Sequence, residues 1–425
     1  MGEVLTVLDI GTTKISVFIS KFDNRSFESI FFKSFPSSGI KRGRIVDMES
    51  LTSSIKRAIQ DTEDILKMKI RRSFVCSSGN EIQGLYSDAA VKIRKKEITE
   101  EDINLAIESA TAMQIPSDRQ AVHILPYEFV VDGIDGIRDP LGMKGLRLEA
   151  RVYIITASSS HIQNLITCCN KAGIEVEEVV LHGVASAEAV VSEHDKDMGT
   201  MVVDIGGGSS RIAVFHDGYL RHLSNYGIGG NHITNDLALG LKIPFKEAER
   251  IKTQFGVALP DVNFGSLSFR EKDREIEIIG MDKIPVKIPM SVIKEIIYAR
   301  CEEILDLIKK EISTVSESIS VSSLVITGGT SQMRGFIQLA ESFLSMPVRI
   351  GKPDLGLMTL MAEMGIRDEY VIIDEQLHEC LTPQFSSTIG TLIYAIRAGS
   401  FQQQNSGIGG IWSRFASWIK EIMRI

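Results

Sequence analysis

Tryptophan is nearly missing from this 425-residue chain: there are two, Trp412 and Trp418, and both fall at its end. Cysteine is scarce as well. The five, Cys76, Cys168, Cys169, Cys301 and Cys380, form no CxxC pair and cannot all be bridged, which suits the reduced thiols of a cytosolic protein. There is no excess of positive charge: 47 Lys and Arg stand against 55 Asp and Glu, a net charge of −8, which argues against a nucleic-acid partner. Long hydrophobic runs are lacking too. No stretch approaches the roughly 18 apolar residues of a membrane-spanning helix, and the opening MGEVLTVLDIG has neither the basic start nor the apolar core of a signal peptide. These absences predict a soluble chain, unless something attaches it to a surface, and its length predicts two or more domains.

The strongest positive signal is an internal echo. Residues 5–18 read LTVLDIGTTKISVF and residues 200–215 read TMVVDIGGGSSRIAVF. Each is an apolar strand ending in Asp-Ile-Gly, a turn of small residues, then a second strand, so two lobes of related architecture are expected. A third signal, LVITGGTSQMRGF at 324–336, reads as strand, Gly-Gly turn and helix. Between these lie helices: Asp47 to Met68, one opened by a capping box at Thr99 and Asp102, one starting near Pro244, and one from Ser291 to Ile312. Alternating strands and helices make an α/β protein.

Asp9 and Asp204 each end a strand beside such a turn. A phosphate chain needs close backbone N–H donors and hydroxyls, and Gly11-Thr12-Thr13 and Gly206-Gly207-Gly208-Ser209 supply both. Lys14 adds a cation. Two carboxylates facing one cleft need a cation between them, and hydrated Mg2+ suits that role. One copy of the motif would be explained as a strand end with a hairpin turn; two copies with the turn at Gly328-Gly329 point to nucleotide.

The two hairpins and the late TGG turn resemble the superfamily of actin, Hsp70 chaperones and sugar kinases. The resemblance implies ATP in an interlobe cleft, its adenosine against Gly328, Gly329, Thr330 and Met333 and its ribose at Glu249 and Lys252 of EAERIK. Residues 123–155, HILPYEFVVDGIDGIRDPLGMKGLRLEARVYII, with the flanking EITEEDINLAIESA, resemble the small domain inserted in the FtsA family of actin-like cell-division proteins. That resemblance covers nearly the whole chain. One departure bears on catalysis: where the superfamily places a water-positioning Gln or Glu, the chain has His182 and Gly183, and Glu188 lies a turn or more further on. Slow ATP hydrolysis or none is expected.

The resemblance implies an actin-like two-lobed fold: first-lobe core 1–84, inserted domain 85–162, return segment 163–192, second-lobe core 193–241 and 313–396, and an outer second-lobe subdomain 242–312. It also implies self-association into filaments, divisome partners on the inserted domain, and binding of the FtsZ C-terminal peptide, with Lys294 and Arg300 of SVIKEIIYARCEEI as candidate contacts. Residues 397–407 read as a flexible linker. Beyond it, Ile408, Ile411, Trp412, Phe415, Ile419, Ile422 and Met423 recur at three- and four-residue steps with Trp418 at the edge. With Arg414, Lys420 and Arg424 opposite, 408–425 reads as an amphipathic helix for an anionic membrane, and the resemblance implies the inner face of the cytoplasmic membrane at the septum. A sugar or acetate kinase would need a catalytic carboxylate that the chain does not offer. An adaptor of another membrane machine, such as the PilM-type pilus protein, would share the fold but not the tail.

Overall fold

A computed structural model describes residues 3–23, 26–79, 81–95, 97–112, 115–259, 274–280, 284–363, 371–372 and 375–399. Two sheets carry the same strand plan. The first runs, in spatial order, Glu175–Leu181, Arg72–Ser77, Glu3–Ile10, Lys14–Asp23, Ser26–Pro36 and Val371–Ile372. The second runs Val348–Ile350, Ser323–Thr327, Thr200–Ile205, Ser210–His216 and Tyr219–Tyr226. In each, a three-strand antiparallel meander continues into two parallel strands, so the echo read in the sequence extends to topology.

Alternate residues of these strands go to opposite layers, and both layers are apolar. In the first lobe, Leu8 and Val17 meet Leu51, Ile55 and Leu165 of the helices Met48–Leu66 and Ser159–Lys171. Val7 and Phe18 face the other way. In the second lobe, Met201 and Val203 join Ile233, Ile297 and Ile304 from the outer helices. Val202 and Ala213 face inward. Between the sheets lie His182–Val190, Asp354–Glu363 and Ser386–Gly399, whose Val184, Leu360 and Ile393 close one core shared with both inner faces.

Three boundaries differ from those read in the sequence. The segment 313–396 does not stay with the second lobe: Val371–Ile372 pairs with Ser26–Pro36, and Ser386–Gly399 packs on Glu3–Ile10 and Arg72–Ser77. The expected linker begins too early, because this last helix runs through Arg397, which is buried and ion-paired. Ile389, Leu392, Ile393 and Ile396 supply the apolar face that draws it back to the first lobe. The inserted module is a four-stranded sheet of Gln83–Lys92, Arg147–Ser158, Arg119–Val131 and Ile134–Ile137, covered by the helix Glu100–Thr111. Residues 159–162, expected inside it, open the helix that packs on the first lobe.

Candidate nucleotide site

Asp9 and Asp204 end corresponding strands of the two sheets, and this equivalence brings them to one cleft. Each following turn closes on the same backbone bond, Gly11 N–H to the Lys14 carbonyl at 2.9 Å and Gly206 N–H to the Ser209 carbonyl at 3.0 Å. The turns meet: a Cβ on Gly208 would stand 2.5 Å from the Thr12 hydroxyl oxygen, so only glycine allows the approach. Gly328 begins the third turn at φ +87°, and a Cβ there would lie 2.4 Å from Asp204 Oδ1.

A cavity of about 750 Å3 opens at these turns, lined by Asp9, Gly11, Thr12, Thr13, Lys14, Asp204, Gly206, Gly207, Gly208, Glu249, Lys252, Gly328, Gly329, Thr330 and Met333. Ser209 is not among the lining residues; it is buried, and its hydroxyl has no hydrogen-bond partner among the described residues. Lys252 Nζ lies 2.7 Å from Glu249 Oε2 and donates to the Thr234 hydroxyl at 2.9 Å, so this pair is held on one wall. The lining also takes in His182, which stands at the place of the superfamily's water-positioning group, and residues that the sequence reading passed over, among them Arg211, Asn231, Phe245, Gln384 and Ser387. Hairpin register could have found one of them, since Arg211 is the cross-strand partner of Asp204. No local pattern marks Ser387.

Electrostatically the floor is one connected network. Asp9 Oδ1 lies 2.6 Å from His182 Nε2, and Oδ2 accepts from the hydroxyls of Ser387 at 2.6 Å and Thr388 at 2.8 Å. Burial opposes the Asp9 charge, but the imidazole and the hydroxyls outweigh it and hold the carboxyl below its usual range. Asp204 Oδ2 accepts from Ser186 at 2.8 Å and pairs with Arg211 Nη1 at 3.4 Å. Arg211 Nη2 donates to Ser78 Oγ at 2.6 Å, and Ser78 Oγ lies 3.2 Å from His182 Nδ1. A buried chain Asp9–His182–Ser78–Arg211–Asp204 thus crosses from one lobe to the other. Lys14 donates to the Gln384 carbonyl at 2.9 Å, with its ammonium 3.5 Å from the centre of the Phe385 ring. Burial lowers its pKa to about 8, against the pull of Asp9, Asp204 and Glu379.

This donor set fits the expected magnesium poorly. The two carboxylates already accept from three hydroxyls, an imidazole and a guanidinium, and the last is itself a cation. Asp9, Cys76 and His182 bring three metal-ligating atoms within 4.8 Å of one another, but burial raises the Cys76 thiol well above its usual range, so it is no thiolate. Both ring nitrogens of His182 are engaged. Glu188 is turned away from the cleft, its carboxylate 3.1 Å from Lys196 and 2.8 Å from Arg397.

The two candidate peptide contacts are placed differently from expectation. Lys294 is buried on the inner face of Met290–Val315, so it cannot meet a peptide at the surface. Arg300 grips Asp236 with Nε and Nη2 at 2.6 and 3.0 Å, tying its helix to Gly230–Gly240. The tail residues Ile408 to Met423 lie outside the described residues. Among the described residues no helix is long and apolar enough to cross a membrane.

Two lobes on one strand plan, a shared helical layer and a cleft floored by two Asp-Ile-Gly hairpins define an actin-like protein with an inserted module. Solved structures share this fold at low identity. The PilM–PilN type IV pilus biogenesis complex matches 92% of this chain and 98% of its own, at a TM-score of 0.59 and 15% identity. MreB5 of Spiroplasma citri bound to ADP matches 95% and 99%, at 0.53 and 12%. The model of the cell division protein FtsA matches residues 201–390, and that of the SHS2 domain inserted in FtsA matches 79–156. The cell division protein FtsA of Pseudomonas aeruginosa is 33% identical over 414 residues, covering 97% of this chain and 94% of the relative. The chain belongs to the FtsA family of cell-division proteins.

Proposed function

We propose that the chain binds ATP in this cleft, assembles into filaments on the inner face of the cytoplasmic membrane at the septum, and ties FtsZ filaments there. The observation that carries the reading is the cleft, where both Asp-Ile-Gly turns and the TGG turn meet. The phosphates of ATP would lie along Gly11–Thr13 and Gly206–Gly208 beside Lys14, the ribose at Glu249 and Lys252, and the adenine against Gly328–Met333. The ADP held by MreB5 supports a nucleotide here. His182 is held at both ring nitrogens, which suits slow hydrolysis, so ATP serves assembly more than turnover.

The amphipathic residues 408–425 are the membrane anchor in this reading, and the inserted module recruits further divisome proteins. The FtsZ C-terminal peptide, an acidic segment, would dock on the outer second-lobe subdomain. Arg300 would there exchange Asp236 for a peptide carboxylate. One copy of the tail binds weakly, because ordering a helix costs about 1–2 kcal/mol per residue; filament formation makes later contacts intramolecular and the attachment firm.

Sedimentation with vesicles containing anionic lipid tests this. The protein should pellet with them, more so with ATP, and should carry FtsZ filaments down. Trp412→Glu puts a charge in the apolar face and should free the protein from vesicles while ATP binding is kept. If the chain truncated after Gly407 still pellets, the tail is not the anchor.

A further inference from the structure

We infer that Arg211 supplies on the second lobe the positive charge that a bound triphosphate needs, so that nucleotide binding depends little on magnesium. This rests on the nucleotide reading of the cleft and says how the cleft meets the charge of its ligand.

The two lobes share a strand plan, and their hairpins differ in the residue that stands opposite the carboxylate. In the first hairpin, Asp9 stands opposite Ser16; in the second, Asp204 stands opposite Arg211. The second lobe has therefore placed a cation directly beside its carboxylate, where the first has a hydroxyl. Arg211 is buried yet lines the cavity. Its ion pair to Asp204 is long, at 3.4 Å, and only one short bond, to Ser78, holds the guanidinium. Nε, also buried, has no hydrogen-bond partner among the described residues. A planar guanidinium that lines the cavity with Nη1 at the phosphate turn, 2.7 Å from where a Cβ on Gly206 would stand, is a donor group suited to phosphate oxygens.

The same placement disfavours a divalent cation. An ion beside Asp204 would lie within a few ångströms of a fixed positive charge in a site partly shielded from water, where like charges repel strongly. Both oxygens of Asp9 already accept, from His182, Ser387 and Thr388, so few of its lone pairs are left for a metal or the waters of one. Lys14 adds a second cation on the first lobe. The triphosphate would thus lie between Lys14 and Arg211, one from each hairpin.

The test is titration of the full-length chain with a fluorescent ATP analogue, in magnesium and in EDTA. The wild-type affinities should agree within about threefold, and a loss of about tenfold or more on chelation would overturn the inference. Arg211→Gln should bind about tenfold or more weakly in EDTA and recover with magnesium; if it binds in EDTA as tightly as wild type, Arg211 is not the counter-charge. Should Arg211→Gln fail to fold, Arg211→Lys keeps a cation and should retain binding in EDTA, while a loss there with binding kept in magnesium counts against the inference. Absence of ATP binding in both buffers would sink the nucleotide reading itself. Binding in magnesium alone leaves that reading standing and removes only this one.

Discussion

Lys14 carries a charge that titrates close to physiological pH. Burial lowers its ammonium to about 8, and Asp9, Asp204 and Glu379 only partly restore it. A polyanion bound beside it stabilises the charged form and raises its pKa on binding, so the affinity is level below about pH 8 and falls above it, by up to about tenfold per unit. Nucleotide titrations between about pH 7 and 9.5 should show this fall, and Lys14→Arg, whose charge does not titrate there, should flatten it. An affinity that rose with pH would remove Lys14 from the phosphate site. At this scale the Asp-Ile-Gly turns were legible because the motif occurs twice and is joined by the turn at Gly328-Gly329. Ser387 and Thr388 were not, since both sit far along the chain from the Asp9 they serve.

Helix signals in the sequence translate well where the cause is local. Thr99 and Asp102 form both halves of the expected box: the Thr99 hydroxyl accepts from Asp102 N–H, and the Asp102 carboxylate accepts from Thr99 N–H at 2.9 Å. Thr99→Ala strips the hydroxyl from the start of the helix over the inserted sheet. It should cost about 1 kcal/mol, read as a lower urea midpoint with unchanged slope. Lys294 shows the opposite case. It falls at steps of three and four with Ile297, Cys301, Ile304 and Ile308, on the buried stripe of Met290–Val315. Spacing alone places it inward, whereas its position in the motif of the resemblance put it among the peptide contacts.

Across the whole molecule, a buried ion cluster joins three helices. Glu188 of His182–Val190 meets Lys196 of Glu193–Met198 and Arg397 of Ser386–Gly399. Burial opposes the charge of Glu188, and the two cations more than offset it, holding the carboxyl below its usual range. Glu188→Gln leaves those cations facing one another without an anion between them. The variant should lose about 3–5 kcal/mol of stability by chemical denaturation. Stability within about 1 kcal/mol of wild type would mean that Glu193 alone holds Lys196 and that the joint carries little.

By itself the sequence determined the two hairpins, the α/β layering, the helix starts and the family, because each is written in residues near one another along the chain. Strand alternation and helix periodicity report which face of a local element is apolar, and turn glycines report a local backbone need. Only the tertiary structure decided that Ser386–Gly399 returns to the first lobe and that His182 and Arg211 link the two carboxylates. Asp9 and Ser387 are 378 positions apart yet hydrogen-bonded. A contact between residues so distant leaves no periodicity in either stretch, and it exists only once both sheets have packed on the same layer of helices.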